Sequence, residues 1–297
     1  MKVKCGVGLG VRTSLPEAKV FARIVDLLEE LRFDSLWLSD RATGNSLDPL
    51  SALAFAAGRT TRLKLGTSAL VVPGRNPVLL AREMANVDYL SGGRLLPVLG
   101  LGRTDAREHE AFGVRRGERG AWFEEAVPLM RRLWREDYVS HAGPRFPVTD
   151  LTIRPKPVGR MEVWIGGRSS REYDRAGRLA QGWLGSFQTP GEAGSAREQI
   201  VEACQRHSRS IDDDHYGVVL PYARTRIAEP VLEFTARVRP DIAASALVPV
   251  GEEALSATLD SFIKQGITKF VLMPAGAPPS WEDELHWLSP IVRAIEA

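Results

Sequence analysis

Three short stretches of this chain set glycine beside polar side chains just after an apolar run. They are Ser68-Ala69 with the following Pro73-Gly-Arg-Asn-Pro77, then Gly100-Leu-Gly-Arg-Thr-Asp105, then Gly166-Gly-Arg-Ser-Ser170, which opens a helix. Glycine lets backbone come close to a ligand. Exposed N–H groups at a helix start, with an arginine nearby, make a phosphate cradle. One such loop is most simply a tight turn; three at strand exits point to a ligand. Asp40-Arg41 follows another apolar run. The aspartate can accept from a ring N–H of a heterocycle, or the two can belong to a local ion-pair pattern, worth little at a surface.

Other chemistries find no support. His109, His141, His207, His215 and His286 are scattered without metal-ligand spacing. Cys5 and Cys204 cannot build a cluster or a disulfide framework, and both are expected as small buried or half-buried residues. No G-x-S-x-G elbow occurs. Gly6-Val-Gly-Leu-Gly10 and Gly100-Leu-Gly102 leave the dinucleotide fingerprint incomplete. Glu108-His-Glu110 reads as a solvated helix face and Asp212-Asp-Asp214 as a solvated turn. The net charge of +2 offers no bulk field for nucleic acid or an anionic membrane. Of 39 basic residues 32 are arginine, whose fork suits phosphate and carboxylate. No apolar signal core and no run of about 18 apolar residues is present, so a cytoplasmic protein is expected.

The elements that must position these loops alternate. Strands are expected over 3–9, 35–38, 64–71, 95–99, 161–165, 182–184, 216–221 and 269–273. Helices are expected over 15–31, 49–57, 78–90, 105–112, 122–136, 171–180, 193–208, 230–238, 252–265 and 281–295. Val20, Ile24, Leu27, Leu28 and Leu31 share one face of the first helix. Strand and helix in alternation call for a parallel sheet with helices outside it. Eight strands in 297 residues, with no compositional break, give one (β/α)₈ TIM barrel domain with insertions. Residues 141–157, rich in Pro, Gly and Arg, are expected as an excursion over the barrel mouth; 226–249 is the least defined stretch.

Leu65-Gly-Thr-Ser-Ala69, Arg75-Asn-Pro77, Asp88-Tyr-Leu-Ser-Gly-Gly-Arg94, Gly100-Leu-Gly102, Val163-Trp-Ile-Gly-Gly167 and Gln181-Gly-Trp183 together resemble the bacterial luciferase-like family. That family contains flavin-dependent monooxygenases and deazaflavin (F420)-dependent oxidoreductases on an inserted TIM barrel. The resemblance implies a bulge in the third strand behind the deazaflavin ring, with a non-prolyl cis bond at Ser68–Ala69. It implies that Asp40 reaches the polar edge of the ring. It further implies that Gly166, Gly167, Arg168 and Ser169 form a phosphate turn, with Gln188 and Thr189 as tail contacts. The sugar-phosphate dehydrogenases of the family carry a His after the second-strand Asp and a Glu after the fourth-strand glycines. This chain has Arg41 and Arg103 there.

Arginine stays protonated and makes a poor general base, so the glucose-phosphate reaction is not expected. Either arginine can orient an anionic substrate or stabilise a developing enolate. The reading that follows is an F420-dependent oxidoreductase acting on a small molecule. A monooxygenase using reduced FMN and a catalytically silent cofactor-binding protein stand as alternatives. Residues around Gly143-Pro144 and in 226–249 are expected to set the substrate. The apolar faces of 78–90 and 122–134 are expected to support a homodimer.

Overall fold

The computed structural model describes residues 2–10 and 16–297. Strand β1 (Lys4–Leu9) is followed by α1 (Ala18–Glu30), β2 (Ser35–Leu38), α2 (Pro49–Arg59), β3 (Lys64–Thr67) and β4 (Leu70–Val71). Then come α3 (Pro77–Ser91), β5 (Leu95–Leu96), β6 (Val98–Gly100), α4 (Ala106–Ala111) and α5 (Arg119–Arg135). A hairpin of β7 (Val139–His141) and β8 (Val148–Leu151) leads to β9 (Trp164–Gly166), α6 (Ser170–Leu179), β10 (Gly182–Ser186) and α7 (Pro190–Arg206). The chain ends with β11 (Tyr216–Tyr222), α8 (Glu229–Val238), α9 (Gly251–Lys264), β12 (Lys269–Pro274) and α10 (Trp281–Glu296).

The sheet closes on itself. β1 pairs in parallel with both β2 and β12, and the ladder continues through β11, β10, β9 and β6. On the other side β2 pairs β3, β3 pairs β5, and β4 pairs β6. The pairs β3/β4 and β5/β6 are therefore the two halves of the third and fourth staves of an eight-stave barrel. Each was expected as a single strand, the third with a bulge. The break in the third lies at Ser68–Ala69, which is the expected cis peptide bond. Thr67 bridges the gap with its side chain: Oγ1 donates to the Val98 carbonyl and accepts from the Val98 N–H, at 2.9 and 3.0 Å.

Two of three apolar clusters among the described residues hold the barrel, the third lying at Val231, Leu247, Val248 and Ala275. The larger lies between strands and helices and takes the buried stripe of α1 (Phe21, Ile24, Val25, Leu27, Leu28) together with faces of α2, α3, α5 and α9. Val20, expected on that stripe, is exposed, and Leu15, expected at the helix start, lies outside the described residues. The smaller core fills the barrel with Trp37, Val98, Trp164, Leu184 and Val271. Large rings fit there because glycines face them. A Cβ on Gly66 would stand 2.2 Å from the Trp37 ring, and one on Gly182 would stand 2.3 Å from Trp164. The indole N–H of Trp37 donates to Ser35 Oγ at 2.8 Å. At the strand starts, buried Lys269 pairs with Asp34 beneath Trp37.

Arginines fasten the outside. Arg94 donates to the carbonyls of Ala57, Thr60, Leu63 and Ser91, tying α2, β3 and α3 at the barrel base. Asp88 accepts from Val158 N–H, so the Asp88–Arg94 motif serves architecture. The hairpin does not cover the mouth as expected. It lies against α5, where Glu125 accepts the N–H groups of Arg145 and Phe146, and Trp122 packs edge-on to Phe146. The expected apolar face of α5 is buried, with Phe123, Val127, Met130 and Trp134 in the core. No helix of the described residues is long and apolar enough to cross a membrane.

Gly66→Ala should overpack Trp37 and lower stability by about 1–3 kcal/mol in chemical denaturation. An unchanged midpoint would show that the Trp37 ring does not depend on that space.

Candidate functional site

The C-terminal strand ends enclose a cavity of about 300 Å³, at the lower end of the range for small-molecule sites. Its wall at the broken strand is made of small residues. A Cβ on Gly100 would stand 3.1 Å from Ala69 Cβ, and one on Gly166 would stand 3.6 Å from it. Ser68, Ala69, Gly100 and Gly166 all line the cavity. That leaves a surface able to take a flat ring, which side chains at the two glycines would fill.

Asp40, at the exit of β2, fixes this wall. Its Oδ2 accepts from the Val71 N–H and from Arg75 Nη2, each at 2.9 Å. The side chain is 3% exposed. Burial pushes its carboxyl above the usual carboxylate range, and Arg75 and the Val71 N–H pull against this without cancelling it. Asp40 and Arg41 are not an ion pair with each other: Arg41 Nε donates to Glu108 Oε1 at 3.2 Å.

Glu108 overturns its expected place on a solvated face. It is 4% exposed and lines the cavity. Its carboxylate accepts from the N–H groups of Ala42 and Thr43, from the Thr43 hydroxyl and from Arg41. Burial raises the carboxyl, but these bonds more than offset it and hold Glu108 below its usual range. The loop after β2 is thus pinned to α4. Arg119 pins the loop after β6 in the same way, its Nη1 donating to the carbonyls of Leu101, Gly102 and Arg103.

Gly102, Arg103 and Gly167 also border the cavity. The Arg103 guanidinium makes no ion pair among the described residues and lies 5.6 Å from the centre of the Phe234 ring. Partial burial and the nearby charges of Arg41 and Arg237 lower its pKa. Phe187, at φ +54°, packs its ring 5.5 Å from Phe234. Val231, Phe234, Thr235 and Val248 bring the stretch 226–249 to the cavity as expected, whereas no residue of 141–157 reaches it.

Four expected contacts sit outside this cavity. Arg168 and Gln188 line a second, more polar cleft with Arg239 and Ser195. Arg168 donates to the Val238 carbonyl; Gln188 donates to the Tyr173 hydroxyl, and its buried Oε1 has no partner. Ser169 and Thr189 are the N-caps of α6 and α7, and their donors are already engaged by Glu172 and Glu192. The wall at Ala69, Gly100 and Gly166 therefore has no side chain in the way of a flat ring. The donors of the 166–169 turn would be free for a phosphate only if Glu172 gave way. Among the described residues no group of three or more His, Cys, Asp or Glu could hold a metal.

The sequence model described as luciferase-like monooxygenase matches residues 3–246. The chain belongs to this luciferase-like family. It is 32% identical over 206 residues to an F420-dependent glucose-6-phosphate dehydrogenase of Intrasporangium calvum, covering 62% of this chain and 59% of that one. The chain spans about half to two thirds of the length of the curated relatives it matches. Among solved structures it resembles an F420-dependent secondary alcohol dehydrogenase in complex with an F420-acetone adduct. The TM-score is 0.85 at 16% identity, with 99% of each chain covered. It also resembles the monooxygenase RslO1 from Streptomyces bottropensis, with a TM-score of 0.82 at 22% identity over 99% of this chain and 100% of that one. At these identities the two structures speak for the fold of this family member.

Replacing Glu108 by Gln should cost about 1–3 kcal/mol in urea denaturation at pH 7, since buried donors lose a charged acceptor. Because the Glu108 pKa is depressed by folding, its contribution is complete above the ordinary glutamate value of about 4.3 and is lost as pH falls through the folded value. The stability gap between wild type and Glu108→Gln should hold steady from pH 8 to pH 5.5 and shrink in stronger acid. A gap that stays constant into strong acid would contradict the assignment.

Proposed function

We propose that the protein is an F420-dependent oxidoreductase that moves a hydride between C5 of the deazaflavin and a small anionic organic substrate. The observation that carries this is the flat wall of Ala69, Gly100 and Gly166 at the broken third stave, with buried Asp40 fastened at its edge. Relatives named for F420, at about 30% identity, support the choice of cofactor. When bound, the deazaflavin supplies a two-electron hydride carrier. The protein supplies position, a partly dry cavity and charge.

In this reading Ser68 and Ala69 back one face of the ring, and Asp40 meets its polar edge. Gly102 keeps the neighbouring loop close. Arg41 and Arg103 lie where substrate would approach and hold negative charge on it. Arg41 is already oriented by Glu108, so its guanidinium is held for that task. Arg103 rests over Phe234 with no acidic partner of its own among the described residues. Neither arginine serves as a proton acceptor. Arg168 and Gln188 serve the cofactor's tail along the second cleft, with Thr189 at the start of α7 beside them.

Pairing of β1 with β12 supports reading the whole chain as one domain. Exposed Leu79, Tyr89 and Leu90 on α3 support a homodimer.

Separate titrations with F420 and FMN, followed by tryptophan fluorescence, test the cofactor. Trp164 and Trp37 lie in the barrel interior beside cavity-lining Val98 and Leu184, so bound ring should quench them. F420 should bind more tightly than FMN by at least about tenfold, or 1.4 kcal/mol. Tighter FMN binding would move the protein to the flavin monooxygenases, and binding of neither, by the wild type or by a variant with Glu172 neutralised, would remove the site assignment. With a substrate in hand, Arg103→Gln should raise KM for the anion by about tenfold or more, the loss expected for a charge-assisted bond of about 1.5–3 kcal/mol.

A further inference from the structure

The turn after β9 has the donors for an anion, and the chain has put its own anion there. Glu172 Oε2 accepts from the N–H groups of Arg168 and Ser169, both at 3.0 Å, and from the Ser169 hydroxyl at 2.8 Å. Its carboxyl group lies directly over Gly167, where a Cβ would stand 2.6 Å from Glu172 Cδ. Gly167, at φ +143°, is the residue that makes this seat possible. Glu172 also borders the main cavity.

The next helix repeats the arrangement with a difference. Glu192 accepts from the N–H and hydroxyl of Thr189, at 2.8 and 3.2 Å, and is also gripped by Arg239 at 2.6 Å. Its charge is answered by a cation. Glu172 makes no ion pair among the described residues, and the Arg168 guanidinium turns away to the Val238 carbonyl. Arg119 lies near enough to feel the Glu172 charge without pairing with it; the direct contacts to that charge are helix-start N–H groups and a hydroxyl, which are the donors a phosphate at this turn would need. Two anions cannot share them, and like charges at contact distance repel.

We propose that Glu172 is a resident counter-anion at the cofactor's phosphate turn, so that a phosphate-bearing cofactor binds there only by displacing its carboxylate. Glu172 is then a residue that sets cofactor selectivity, weakening phosphate-bearing forms relative to phosphate-free ones. The inference rests on the cavity being a cofactor site, and it holds for F420 and FMN alike.

The test measures binding by fluorescence titration in wild type, Glu172→Gln and Glu172→Ala. The probes are F420 and its phosphate-free 8-hydroxy-5-deazariboflavin core, and FMN and riboflavin. Gln can keep the capping arrangement without the charge, so Glu172→Gln should fold as wild type does, checked by thermal denaturation. It should bind the phosphate-bearing member of the preferred pair about tenfold more tightly, a gain of about 1.4 kcal/mol. Affinity for the phosphate-free member should stay within about twofold, below 0.5 kcal/mol by the same conversion. Glu172→Ala should show the same preference with a lower melting temperature.

Unchanged or weaker binding of the phosphate-bearing form in folded Glu172→Gln would overturn the proposal, as would equal tightening of both members. Failure of the F420 reading looks different: the flavin pair would then be preferred, and the Glu172 contrast would appear there. If neither pair binds any of the three proteins, both ideas fall. Binding of F420 or FMN by Glu172→Gln where wild type binds none would support the role of Glu172.

Discussion

The site depends on one carboxylate, Asp40, which holds the broken third stave in place. Past Ala69, whose carbonyl still accepts from the Asp40 N–H, no β2 backbone carbonyl takes the Val71 N–H. Asp40 Oδ2 takes it instead and accepts from Arg75 on the same oxygen. An unpaired buried N–H costs about as much as a lost hydrogen bond, so this side chain replaces a missing strand neighbour. The consequence is the small-residue wall at Ala69, Gly100 and Gly166, on which the cofactor reading stands.

Charge is used in two ways around this frame. Arg94, Arg119 and Arg239 point at carbonyls and act as fasteners for turns and loops. Arg41 and Arg103 border the cavity itself. A guanidinium with five fixed donors can clamp several carbonyls at once, which a lysine ammonium does less well. The arginine bias of the composition is therefore partly architectural. Carboxylates divide likewise: Glu108 pins a loop, Glu192 pairs with Arg239, and Glu172 is held by backbone N–H groups and the Ser169 hydroxyl.

The barrel was legible because apolar strand runs alternate with amphipathic helices, and closure follows from eight of them. The split of the third and fourth staves was not legible from periodicity, since both halves are apolar; the resemblance located the break in the third, and nothing located that in the fourth. Glu108 was misread because its partners, Arg41 to Thr43, are more than sixty residues away and a Glu-His-Glu run looks solvated. Arg119 lay outside the expected helix, which began at 122. Glu172 carried a readable signal: Ser169-Ser-Arg-Glu172 is a capping box, as is Thr189-Pro-Gly-Glu192. The hairpin at 139–151 was misplaced because composition says that a segment is irregular, not what it packs on.

A crystal structure of the protein with F420 bound is the most direct test of the central claim. The tricyclic ring should lie against the Ala69, Gly100 and Gly166 wall, with its polar edge toward Asp40. A ring seated in the polar cleft beside Arg239, or anywhere off the broken stave, would contradict the account.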